Sequence, residues 1–124
     1  MAAQMSDVVV TPHMIEKRLK DLSKEVDNSH KELAEAERVY YETKAQYELA
    51  LAHARLSIAT NKEAKYTVSD KADLALISTE KLHLQMASAE ALVRAARANA
   101  NRIRTQVDIA RSIGTSVRTS MEIA

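Results

Sequence analysis

From Ile15 to Ala54 the chain repeats one spacing without interruption. Ile15, Leu19, Leu22, Val26, Ser29, Leu33, Ala36, Tyr40, Thr43, Tyr47, Ala50 and Ala54 are separated by alternating steps of four and three. That is a heptad, with positions a and d on one stripe of a helix that packs against another helix. A strand cannot use it, because strand side chains alternate with a period of two. Thr11 can cap the helix, and Pro12 suits its first turn, where no N–H is needed. The polar stretch "NKEAKYT", Asn61 to Thr67, breaks the pattern and reads as a loop. The first helix is therefore expected over about 12–60, and at 1.5 Å per residue it would be ~70 Å long. So long a helix implies an elongated molecule.

The second half begins with "TVSD", Thr67 to Asp70, which has the form of a capping box. In "ISTE", Ile77 to Glu80, adjacent Ser78 and Thr79 before an acid predict a kink or a second cap. From Leu82 a second heptad runs through Met86, Ala89, Val93, Ala96, Ala100, Ile103, Val107, Ala110, Gly114, Val117 and Met121. The expectation is a tail over 1–10 and an all-α domain over 11–124. That domain is an antiparallel, coiled-coil-like hairpin with a loop at 61–67 and a second helical region at about 68–121. The seam is lean, because Ala89, Ala96, Ala100 and Ala110 are small and Gly114 is smaller. Leu51, Ile58, Leu92, Ile109 and Ile113 lie outside it and widen the apolar stripe beyond what one partner helix covers. Self-association follows as an expectation; a monomer with a broad stripe is the alternative.

Composition removes several function classes. There is one glycine and no cysteine, so neither a glycine-rich phosphate loop nor a thiolate metal site can be built. His13, His30, His53 and His83 have no histidine partner at helical spacing, so no metal site is expected. The reading is a non-enzymatic protein without cofactors. "MAAQMSDVVV" lacks the features of a signal peptide, and no apolar run is long enough to span a membrane. A cytoplasmic location is the matching expectation. Val8 to Val10 fit a partly ordered terminus, or else a short strand or docking arm.

Charge is distributed unevenly, although the formal net charge is only +1. Up to Thr60 there are 8 basic and 10 acidic residues; from Ala91 onward there are 6 basic and 2 acidic. The six basic residues are all arginines. With Val93 at a, Arg97, Arg104, Arg111 and Arg118 all fall at e, while Arg94 and Arg102 point elsewhere. In an antiparallel hairpin e faces e, and on the first helix only Glu16 and Glu37 are acids at that position. Folding back brings Arg118 near Glu16. Two readings of the remaining arginines stay open. They pair with another subunit's carboxylates, or they follow a single-stranded phosphate backbone without reading its sequence. In the loop, Tyr66 beside Lys62 and Lys65 fits a small stacking and phosphate-contacting tip, or simply a solvated turn.

The layout resembles the UvsY-type recombination mediators of tailed phages. The likeness lies in the long first helix with "AERVYYETKAQYELALAHARL", the lysine-bearing loop "NKEAKYTVSD", and the second half with "AEALVRAARANANRIRTQVDIARSIGTSVR". It covers most of the chain after Pro12. The resemblance implies a ring-like homo-oligomer without enzymatic activity. Such a protein binds single-stranded DNA and helps load a RecA-like recombinase onto strands covered by single-strand-binding protein. It implies DNA contacts at Lys62, Lys65, Lys71, Arg94, Arg97, Arg102 and Arg104, to which the e stripe adds Arg111. It also implies assembly through Ile103 to Met121, so that Ile103, Val107, Gly114 and Val117 join Leu92, Ile109 and Ile113 as oligomerisation candidates. Gly114 departs from the larger seam residue expected there and reads as a kink or a very close subunit contact. The rival function is a structural or assembly coiled coil of a phage with no DNA-binding role.

Overall fold

The computed structural model describes residues 9–61 and 65–123. Most of the expected tail, and Lys62, lie outside the described residues. Helix accounts for 92% of what is described, with no strand among those residues, and the fold is an all-α helical hairpin. Helix α1 spans Pro12–Ala59, α2 spans Val68–Ser78 and α3 spans Glu80–Ile123. The start of α1 is the predicted one: the Met14 amide donates to the Thr11 hydroxyl at 3.2 Å. Thr67 and Asp70 form the full capping box that opens α2.

The "ISTE" segment becomes a one-residue break. Thr79 leaves helical geometry (φ −112°, ψ 14°), and its hydroxyl donates back to the Ala75 carbonyl at 2.8 Å. This bond satisfies a side chain that is only 5% exposed and competes locally with the backbone ladder. The second helical region is therefore two helices.

The chain forms two compact units, one from Met1–Lys31 with Arg97–Ala124 and one from Glu32–Ala96. In the first unit the start of α1 packs antiparallel on the end of α3. Leu22, Ile103 and Ala110 form its core, with Leu19, Val26 and Val107 against them. Gly114 lies against Ile15, and a Cβ built on it would come within 3.2 Å of Ile15 Cγ2. Where a kink or a close subunit contact is expected, the close neighbour found is Ile15 of the same chain, and Gly114 lies inside the continuous span of α3. Ser29 is buried in the seam and donates to the Val26 carbonyl at 2.8 Å, so its polarity is satisfied. On the g flank Arg18 Nη2 donates to Gln106 Oε1 at 3.3 Å; g meeting g is what an antiparallel register requires.

In the second unit Tyr47, Ala75, Ala89 and Val93 are buried. The Tyr47 ring lies 5.2 Å from that of His83, centroid to centroid. Every seam position named above is buried or half-buried, with one exception. Met121 is 61% exposed. Ile15, in the first turn of α1, already lies against Gly114, so Met121 lies two turns beyond the last residue that this seam contact reaches.

Candidate nucleic-acid interface

The e flank of α3 in the first unit carries Arg97, Arg104, Arg111 and Arg118, all exposed. Seven residues of helix set successive members roughly 10.5 Å apart along the axis. Across the seam, the e positions of α1 in this unit are Glu16, Ser23 and His30, so the flank offers one carboxylate to four guanidinium groups. The expected pairing of Arg118 with Glu16 does not form. The two line the same cleft, but Arg118 Nε turns back to donate to its own helix, to the Gly114 carbonyl at 3.4 Å. Arg97 has a partner. Arg104 and Arg111 have neither a hydrogen-bond nor an ion-pair partner among the described residues.

The other candidates are placed differently. Arg94 lies in the second unit and forms an ion pair with Glu90 one turn earlier. Arg102 is held by the Asn99 side-chain carbonyl at 2.8 Å. Lys65 is exposed, Tyr66 is 43% exposed, and Lys71 is half-buried at the start of α2. Arg38, on α1 of the second unit, engages Glu35 and Glu42, each at 2.7 Å. That pairing holds the Glu35 carboxyl below its usual range, chiefly through the hydrogen bond and then through the nearby positive charge.

Among the oligomerisation candidates, Ile103 and Gly114 are buried inside the hairpin, and Val107 and Val117 are half-buried there. Seam packing within the chain engages these four, Val117 least completely. Leu92, Ile109 and Ile113 remain exposed, at 61%, 54% and 44%. Ile113 also lines an open apolar groove with Val9, Val10, Val117 and Met121.

No protein-family model, curated protein or solved structure matches this chain.

Chemically, the arginine flank suits an anionic polymer. Guanidinium groups stay charged at any physiological pH and fork onto phosphate oxygens. No group of three or more His, Cys, Asp or Glu able to hold a metal occurs among the described residues. No helix among them is long and apolar enough to cross a membrane. Sequence reasoning did not foresee the cleft beside this flank, lined by Glu16, Arg111, Thr115 and Arg118 over Ile15 and Leu19. The signal was there: e facing e, next to the chain's one glycine, leaves room beside the seam.

Proposed function

We propose that this chain is a non-enzymatic protein that binds single-stranded DNA through the arginine flank of its first unit. In this reading it self-associates and assists recombination by helping to load a RecA-like recombinase on strands covered by single-strand-binding protein. The observation that carries the DNA-binding half is the pair Arg104 and Arg111, exposed and without an acid partner among the described residues. Charge counts point the same way. By sequence the first unit holds ten basic and seven acidic residues and the second holds eight and ten, so positive charge gathers where the flank lies. The recombinase-loading half rests on the resemblance of layout alone.

A second reading draws on the same distribution. The acids of one copy's second unit are candidate partners for another copy's arginines, which would make the flank an assembly device. Replacing Arg104 and Arg111 together by Gln separates the two. Fluorescence anisotropy with labelled oligothymidine should show binding that falls steeply with salt and is weakened in the double variant, with the oligomer mass unchanged. Intact DNA binding with an altered mass would overturn the flank's role as the DNA contact in favour of assembly, and no binding by the unaltered protein at low salt would overturn the DNA reading itself.

A further inference from the structure

The cleft beside the arginine flank presents an unmatched set of charges. It has a volume of about 420 Å³ and lies wholly within the first unit, between the start of α1 and the end of α3. Ile15 and Leu19 give it apolar lining, and Gly114 lines it too, so near Ile15 that an added Cβ would come within 3.2 Å of Ile15 Cγ2. Arg111, Arg118 and Glu16, all exposed, also line it. Opposite charges that share a cleft ordinarily pair, yet no ion pair joins them. The side chains of Glu16 and Arg111 have no partner among the described residues, and Arg118 is turned onto the Gly114 carbonyl. The Thr115 hydroxyl, on another lining residue, donates to the Arg111 carbonyl at 3.1 Å, which leaves its oxygen able to accept.

A simple anion would satisfy the arginines and be repelled by Glu16. A simple cation would do the reverse. A ligand that carries a negative group and, a few ångströms away, a flat apolar body edged with N–H donors satisfies all three. A nucleotide bearing an exocyclic amino group has that form. We infer that this cleft receives one base of the bound strand and that Glu16 selects bases carrying an amino group over thymine. The inference rests on the DNA-binding reading above and refines it. Phosphates sit on Arg111 and Arg118, the base lies on Ile15 and Leu19, and Glu16 accepts from the amine. A carboxylate only accepts hydrogen bonds. Cytosine and adenine offer amino donors, at N4 and N6, where thymine presents the acceptor O4. Thymine presents O4 where cytosine has its amine, and its one donor, N3–H, lies between two carbonyls that repel a carboxylate, so a strand otherwise held by sequence-blind phosphate contacts acquires a preference for amino-bearing bases.

The test compares two pyrimidine oligomers of equal length, oligodeoxycytidine and oligothymidine, at one salt concentration and slightly alkaline pH. Stacking and flexibility are then closely matched and the amine is the main difference. Wild-type protein should bind the cytidine oligomer about tenfold more tightly, the scale of one hydrogen bond to a charged group. Glu16→Gln also removes a negative charge and strengthens phosphate contacts generally, so the quantity to read is the ratio of the two affinities. That ratio should fall to about two or less, because an amide both donates and accepts. Far-UV circular dichroism checks that the helices are unchanged. Equal wild-type affinities would overturn the base-selecting cleft and leave the DNA-binding reading standing. A ratio that survives in Glu16→Gln would overturn the role of Glu16, and binding of neither oligomer would overturn both readings.

Discussion

Gly114 shows how one residue sets the helix approach in the first unit. Alanine would gain about 1 kcal/mol of helix propensity there. Its Cβ, however, would press on Ile15 Cγ2 at 3.2 Å, and that methyl belongs to a β-branched side chain with a nearly fixed χ1. Overpacking of this kind costs roughly 1–3 kcal/mol, so Gly114→Ala should leave stability unchanged or lower it. In an Ile15→Leu background, which lacks Cγ2, the same substitution should become stabilising by up to about 1 kcal/mol in urea denaturation. Equal effects in both backgrounds would refute the contact. Leu22, 1% exposed, should cost about 3 kcal/mol when cut to alanine. Ile109→Ala, at 54% exposure, should leave the fold's intrinsic stability nearly unchanged. Which residues occupy the seam was legible from spacing alone. The partner chosen by Arg118 was not, because proximity to Glu16 follows from register, whereas a turn back onto Gly114 depends on the rotamer.

At the scale of elements, the boundaries come from short polar signals. The Thr67 hydroxyl accepts from the Asp70 amide at 3.1 Å, and the Asp70 carboxylate accepts from the Thr67 amide at 3.4 Å. Thr67→Ala should therefore cost about 1 kcal/mol, concentrated in α2. Hydrogen exchange should show the first amides of Val68–Ser78 losing protection before those of α1 or α3. Uniform loss across all three helices would mean that α2 does not open on its own. The starts of α1 and α2 could be read from Thr-Pro and from Thr-x-x-Asp. The break at Thr79 was only half legible. A hydroxyl bonded to the carbonyl four residues back looks in sequence like any other Ser-Thr pair, and burial of that threonine depends on the fold around it.

For the whole molecule the testable quantities are affinity, salt dependence and mass. Single-stranded binding weakens with a log–log salt slope of about −0.7 per phosphate neutralised. Removing Arg104 and Arg111 should flatten the slope by about 1.4 if each holds one phosphate; an unchanged slope would place the phosphates elsewhere. Self-association should appear as a solution mass above the 13.8 kDa of one chain. Replacing Ile109 and Ile113 by serine should lower that mass, and a wild-type mass of one chain would end the oligomer reading. Heptad spacing, carried through both halves of the chain, was enough to read the all-α fold. Function was less readable, because a charge at e has the same spacing whether it meets phosphate or a carboxylate. Only the geometry leaves the Arg104 and Arg111 side chains without partners among the described residues.

The basic flank is built without lysine, and the last lysine in the chain is Lys81. Beyond it there is no side-chain amine to acylate, so acetylation cannot tune this surface. Only arginine methylation is open to it, and that keeps the charge while blocking bidentate contacts. Amine-directed cross-linkers would likewise pass over the stretch from Leu82 onward, and a dicarbonyl reagent selective for guanidinium is the label to use in footprinting it.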